Sequence, residues 1–299
     1  MYFNFPCLSL DDPTLWKQSK RRGEVIKIQY HTHWYSGKSA TAFKKPICIY
    51  VPYGYDTMQE YNVVVLLPGM DMPYSCYLSR AHRYSPVLYS VQFQNVLDNL
   101  IDAKVIEPSI IVTLPYYGAT VEGHPVMELD GNQLINELRY DLLPYMISNY
   151  STYAKGTDSI SISSAREHFG IFGFSYTSTM IPKYIIPECM DLFSWFGASS
   201  IFHSDLSRSI ETVNNRISDY PISYFYAGCG DRDDAYAQTM EMYKTFCDGV
   251  YGLDYDKSDL IVIPNCGHDA RTYDTAIVNC LLKFFDENKI KSTGGTYAI

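Results

Sequence analysis

Ser163–Met180 reads SSAREHFGIFGFSYTSTM, and this stretch decides the fold. A short apolar run from His168 to Phe174 ends at Gly173-Phe174-Ser175-Tyr176-Thr177, and a helix-compatible segment begins at once. Ser175 is therefore expected on a sharp strand-to-helix turn. Such a turn lifts a serine hydroxyl out of the sheet to where a histidine can take its proton, which a weak nucleophile requires. Crowding calls for small residues two before and two after the serine; Gly173 meets the first demand, and Thr177 stands where glycine is usual. Serine is also a preferred helix N-cap, so the meaning of the turn rests on its partners further along the chain.

Working outward, apolar runs recur with helical patterns between them. Upstream are Lys45–Pro52 (KPICIYVP), Asn62–Pro68 (NVVVLLP) and Ser109–Leu114 (SIIVTL); downstream are Leu192–Ala198, Ile222–Ala227 and Leu260–Pro264. Continuous apolar strands alternating with helices predict a mostly parallel sheet covered on both faces. From Gly23, the alternation through Ile26, Ile28 and Tyr30 adds antiparallel strands at the start. The fold class is thus α/β, of the α/β-hydrolase type. Residues 23–286 read as one catalytic domain, preceded by a polar extension over 1–22 and followed by a tail over 287–299. Helices are expected from Pro86, from near Asn132, and over Thr272–Phe285, each with apolar residues on one face.

In such sheets the loops leaving the carboxyl ends of strands meet in one crevice. Asp231 follows the run ending at Ala227, and His268 follows the run ending at Pro264. The order Ser175, Asp231, His268 is the order of an α/β-hydrolase triad. His268 would act as base and Asp231 would hold its tautomer, with Asp233 and Asp234 close enough to compete for the acid role. Two amides must hold the oxyanion, from Tyr176 after the nucleophile and from the loop after Leu67, at Met70. Met72, Tyr116, Tyr117 and Phe174 are candidate substrate contacts. The fifteen or so residues from Tyr116 to Gly131 read as a substrate loop.

Composition narrows the classes. A net charge of −9 and 19% charged residues argue against nucleic acid and anionic membrane as partners. No apolar run is long enough to cross a bilayer. Eight cysteines contain no C-x-x-C pair, so a zinc site is not expected; His31 and His33 share a strand face without a third ligand. No metal or organic cofactor is implied, because acyl transfer by a triad needs neither. The cysteine count and the sequon Asn149-Tyr150-Ser151 lean toward secretion with a leader already removed, a cytoplasmic location being the alternative.

IYVPYGYD at Ile49–Asp56, the strand NVVVLLPG, the helix end DLLPYMISNYSTY and AREHFGIFGFS together resemble the esterase D superfamily, and within it carbohydrate esterase family 1. The resemblance runs from about Gly23 to Phe285. It implies Ser175 as nucleophile, Asp231 as acid and His268 as base. It implies a feruloyl esterase acting on arabinoxylan side chains of plant cell walls. The rivals are an acetylxylan esterase, an S-formylglutathione hydrolase-like thioesterase and a hydrolase-fold binding protein without catalysis. Two departures stand out: Pro68-Gly69 where His-Gly is common, and Ser-Tyr-Thr where the family has Ser-Met-Gly.

Overall fold

The computed structural model describes residues 7–36, 39–69, 93–115, 120–121, 124–125, 131–254 and 256–285. In chain order the strands are β1 (Glu24–Ser36), β2 (Ser39–Val51), β3 (Asn62–Leu67), β4 (Ser109–Thr113), a short pair β5 (Thr120–Val121) and β6 (His124–Pro125), then β7 (Phe169–Phe174), β8 (Trp195–Ser199), β9 (Tyr224–Gly230) and β10 (Ser258–Ile263). Among the described residues the main sheet has eight strands in the order β1-β2-β4-β3-β7-β8-β9-β10. β1 and β2 pair antiparallel, β2 joins β4 antiparallel, and every later pairing is parallel. β7, which ends in the elbow, lies between β3 and β8.

The central strands are buried on both faces because they are apolar at odd and even positions alike, whereas β1 is largely exposed or half-buried. Val63, Val65 and Leu67 enter one core with Ile171, Leu138, Ile181 and Phe246. Val64 and Leu66 enter the other with Phe172, Leu97, Tyr226 and Ile277. Each aliphatic side chain so removed from water contributes about 1.5–3 kcal/mol. The helices Gly131–Asn136, Leu143–Asn149 and Tyr236–Gly249 cover the first face, and Phe93–Asp102 and Ala270–Leu281 cover the second.

The polar reading of residues 1–22 holds only in part. Leu8, Leu10 and Leu15 are buried in the second core. Asn279 binds the backbone of Leu8 from both sides, accepting from its N–H at 2.8 Å and donating to its carbonyl at 3.0 Å. Three leucines spaced irregularly carry no helix or strand period, so this strap leaves little trace in the sequence.

Two helical stretches widen to π geometry, Glu137–Leu142 and Ile181–Ile185. Each closes on a residue that precedes a proline: the Leu143 N–H donates to Leu138, and the Ile186 N–H donates to Ile181. Pro144 and Pro187 have no N–H, and their rings crowd the carbonyl one α-turn back, which the wider turn relieves.

The first π stretch also carries buried charge. Lys45 Nζ lies 2.9 Å and 3.0 Å from the two oxygens of Glu137, with both side chains nearly inaccessible, and the Tyr30 hydroxyl donates to the same carboxylate. Asp141, one turn on, accepts from Thr32 Oγ1 at 2.8 Å and contacts His33 Nδ1 at 2.9 Å. These contacts fasten the β1–β2 hairpin to the helix. Lys45→Met would leave Glu137 buried without its cation, and we expect a loss of about 3–5 kcal/mol. Urea unfolding measures it; an unchanged midpoint would contradict the assignment.

Candidate active site

The apolar run ending at Phe174 forms β7, and the chain turns at Ser175 into the helix Tyr176–Met180. Ser175 has φ 58° and ψ −124°, in a region that side chains other than glycine seldom enter. The turn is tight: a Cβ on Gly173 would lie 2.6 Å from the carbonyl oxygen of Thr177. That contact explains the demand for glycine two residues before the serine.

Thr177 fits where glycine is usual because its hydroxyl has partners. The side chain is fully buried. Its Oγ1 accepts from the Phe174 N–H at 3.0 Å, and its proton faces the carbonyls of Leu67 at 2.8 Å and Phe174 at 2.9 Å. The departure therefore ties the elbow to the end of β3. Thr177→Val keeps the shape and strands those backbone groups, so we expect a loss of about 1–3 kcal/mol in urea unfolding. A variant as stable as the parent would show that the hydroxyl does not brace the turn.

The imidazole arrives on the loop from β10 to the helix Ala270–Leu281. Asp269 caps that helix, its carboxylate accepting from the N–H groups of Arg271 and Thr272. His268, just before the cap, has Nε2 2.8 Å from Ser175 Oγ and Nδ1 2.9 Å from Asp233 Oδ1. Phe174 packs against the ring at a centroid distance of 5.2 Å and Phe202 at 5.6 Å. Phe174 is only 3% exposed, so it lies behind the imidazole.

The acid partner differs from expectation. Asp233, not Asp231, faces His268. β9 continues to Gly230, three residues beyond the apolar run that ends at Ala227. Asp231 is thereby left exposed at the rim of the sheet, its N–H donating to the Ile263 carbonyl at 3.0 Å as an extension of the ladder. The chain then turns back, the Asp233 N–H donating to Gly230 at 3.2 Å, and carries Asp233 into the interior. Gly230 permits this, since a Cβ there would collide with the Cys266 carbonyl on the histidine loop. Asp234 is exposed.

Asp233 is a well-held carboxylate. Burial disfavours its charge, but hydrogen bonds from His268, from Ser200 and from the Ala235 N–H hold its pKa below the usual aspartate value. Ser200 Oγ donates to Oδ2 at 2.6 Å, and the Ala235 amide donates to Oδ1 at 2.8 Å.

Tyr176 is the first residue of the helix after Ser175, so its amide lies beside the Ser175 hydroxyl, and the residue is 39% exposed. Met70, Met72, Tyr116 and Tyr117 lie outside the described residues. His33, one of the two histidines weighed as metal ligands, turns its Nδ1 to Asp141. No disulfide joins two described cysteines, and burial pushes the thiols of Cys189, Cys229 and Cys247 up to about 12. No helix among the described residues is long and apolar enough to cross a membrane. Ser200 and Phe202 are neighbours of the site that the triad pattern does not mark in the sequence. They come just after β8, a strand end that supplies none of Ser175, His268 and Asp233.

No protein-family model matches the chain. A curated relative, endo-1,4-beta-xylanase Y of Acetivibrio thermocellus, is 28% identical over 261 residues, which cover 82% of this chain and 22% of the relative. The chain thus spans about a fifth of that protein's length. A serine-to-alanine mutant of the feruloyl esterase module from Clostridium thermocellum, complexed with sinapinate, superposes with a TM-score of 0.73 at 22% identity, covering 96% of this chain and 95% of that one. A CE1 ferulic acid esterase from Anaeromyces mucronatus in complex with ferulic acid gives 0.67 at 20% identity, covering 96% and 99%. The enterobactin esterase of Shigella flexneri gives 0.54 at 12% identity, covering 90% and 60%. The sequence resemblance to carbohydrate esterase family 1 is thus matched in three dimensions by feruloyl esterase neighbours, and the chain has the α/β-hydrolase fold that they share.

Proposed function

We propose that the chain is a serine carboxylester hydrolase that releases ferulic acid or a related hydroxycinnamate from arabinoxylan side chains. The observation that carries this reading is the unbroken hydrogen-bond chain Ser175 Oγ, His268 Nε2, His268 Nδ1, Asp233 Oδ1. Ser175 attacks the ester carbonyl while its proton passes to His268 Nε2, and Asp233 keeps the remaining ring proton on Nδ1 and stabilises the imidazolium. As the tetrahedral intermediate collapses, His268 returns the proton to the departing sugar oxygen, leaving the acyl group on Ser175. Water then repeats the cycle: His268 takes its proton, the acid leaves, and Ser175 is restored. The Tyr176 amide is one donor to the oxyanion.

The hydroxycinnamate class is supported by two neighbours, one complexed with sinapinate and the other with ferulic acid. Phe202 and Tyr176, both partly exposed beside the triad, suit a flat aromatic acyl group. The test is release of ferulate from methyl ferulate and feruloylated arabinoxylan oligosaccharides, run beside acetate release from acetylated xylan. Dominant ferulate release is expected. Acetate alone would move the substrate to acetylxylan, and neither product would return the thioesterase and non-catalytic readings.

A further inference from the structure

Ser200 sits one residue beyond β8 and is buried completely. Its φ is +60°, a conformation that favours glycine and that costs other residues about 1–2 kcal/mol. The strained backbone is held from several sides. The Ser200 N–H donates to the Gly228 carbonyl at 2.8 Å, the Ser178 hydroxyl lies 3.0 Å from the Ser200 carbonyl and 2.5 Å from that of Ser175, and Thr239 Oγ1 accepts from the next amide, Ile201, at 2.8 Å. One serine hydroxyl therefore spans the backbones of two positive-φ residues, Ser175 and Ser200. The outcome of this bracing is that Ser200 Oγ points at Asp233 Oδ2, 2.6 Å away.

We propose that Ser200 is a positioning residue of the catalytic site, its hydroxyl holding one oxygen of Asp233 so that the other stays on His268 Nδ1. The role rests on the proposed Ser175–His268–Asp233 triad. A carboxylate with one oxygen unheld can rotate about its χ2 bond, and each departure breaks the bond that fixes the imidazole tautomer. Glycine would occupy this backbone without strain, yet it would leave Oδ2 in the interior without its hydroxyl donor. The hydroxyl is what the strained serine supplies.

The hydroxyl also affects proton affinity. Removing a donor from an ionised carboxylate makes that carboxylate more basic, so the His268–Asp233 pair binds its proton more tightly. Other groups facing Asp233 are poor substitutes for that donor. The Cys229 thiol on β9, kept neutral by burial with its pKa up to about 12, contacts Asp233 and Ser200 and offers only a weak S–H donor. Asp231, Arg232 and Asp234 on the same turn are exposed. The helix Tyr236–Gly249 offers Thr239, which is engaged with the Ile201 backbone.

Ser200→Ala and Ser200→Gly are to be assayed on methyl ferulate across pH, beside Ser175→Ala. Both Ser200 variants are expected to lose about tenfold in kcat with KM changed less than about twofold, and to move the acid limb of kcat/KM upward by about half a pH unit. Ser200→Gly relaxes the backbone, so it keeps the test readable if the alanine variant folds poorly. A glycine variant with parental kcat and acid limb would assign the position to backbone geometry and overturn the role of the hydroxyl. Hydrolysis abolished by Ser175→Ala but unchanged in both Ser200 variants would overturn this inference alone. Hydrolysis that survives Ser175→Ala would remove the triad reading and the Ser200 role together.

Discussion

Ser175→Ala should lower kcat/KM for methyl ferulate by about ten-thousand-fold or more, while leaving the urea midpoint within about 1 kcal/mol of the parent. The side chain is half-buried at the mouth of the crevice, and its one described side-chain hydrogen bond is to His268. Removing its oxygen thus removes the nucleophile and little else. Alanine must still adopt φ 58° at this position, a strain the serine already bears, so the backbone cost is common to both. Residual hydrolysis would come from oxyanion donors and binding, which do not depend on the hydroxyl. The measurement is steady-state hydrolysis with the variant's far-ultraviolet spectrum and unfolding curve beside it. A variant retaining a tenth of the parental rate would contradict the nucleophile assignment.

Asp233→Asn should lower kcat by about a thousand- to ten-thousand-fold, and Asp231→Asn by less than about twofold. The contrast comes from geometry: Asp233 Oδ1 is 2.9 Å from His268 Nδ1, while Asp231 is exposed at the end of β9. An amide in place of the carboxylate can present its NH2 to Nδ1, which drives the ring proton to Nε2, the nitrogen that must accept from Ser175. It also removes the charge that stabilises the imidazolium. A stability signature accompanies the loss. The folded pKa of Asp233 lies below its unfolded value, so its ionised form stabilises the fold above about pH 4, and that contribution fades as pH falls through the folded value. Asp233→Asn should flatten that part of the stability curve. Equal losses in the two variants, or a larger loss in Asp231→Asn, would contradict the placement of the acid.

The features the sequence disclosed and those it concealed divide along physical lines. β3, β4 and β7 are legible because each is an apolar run buried on both faces, and Ser175 and His268 are legible because each comes soon after such a run. The acid expected from the sequence lies two residues short of the aspartate that faces His268. Apolarity marks where a strand is buried but not where its ladder ends, and Gly228-Cys229-Gly230 extends β9 with residues that read as a turn. Placing Asp233 requires the return turn after Gly230 and the close approach of the Cys266 backbone, a contact between segments far apart in the chain. Thr177 reads as a defect in the motif because its partner, the Leu67 carbonyl, belongs to another strand. Ser200 is hidden for the same reason: nothing local marks a serine at positive φ whose justification lies on β9's exit loop. The π turns have a local signal in Leu143-Pro144 and Ile186-Pro187, which periodicity alone reads as ordinary helix.

If Ser175, activated by His268 and Asp233, carries the acyl group, its hydroxyl is also the group that a covalent serine probe should modify. Treatment with an alkyl fluorophosphonate, followed by mass analysis of the proteolysed chain, tests it most directly, with methyl ferulate hydrolysis followed in parallel. One phosphonyl group per chain is expected, located on the peptide containing Ser175, with activity falling in proportion to the modified fraction and no modification in Ser175→Ala. Hydrolysis that persists when Ser175 is fully modified, or activity lost while Ser175 remains unmodified, would contradict it.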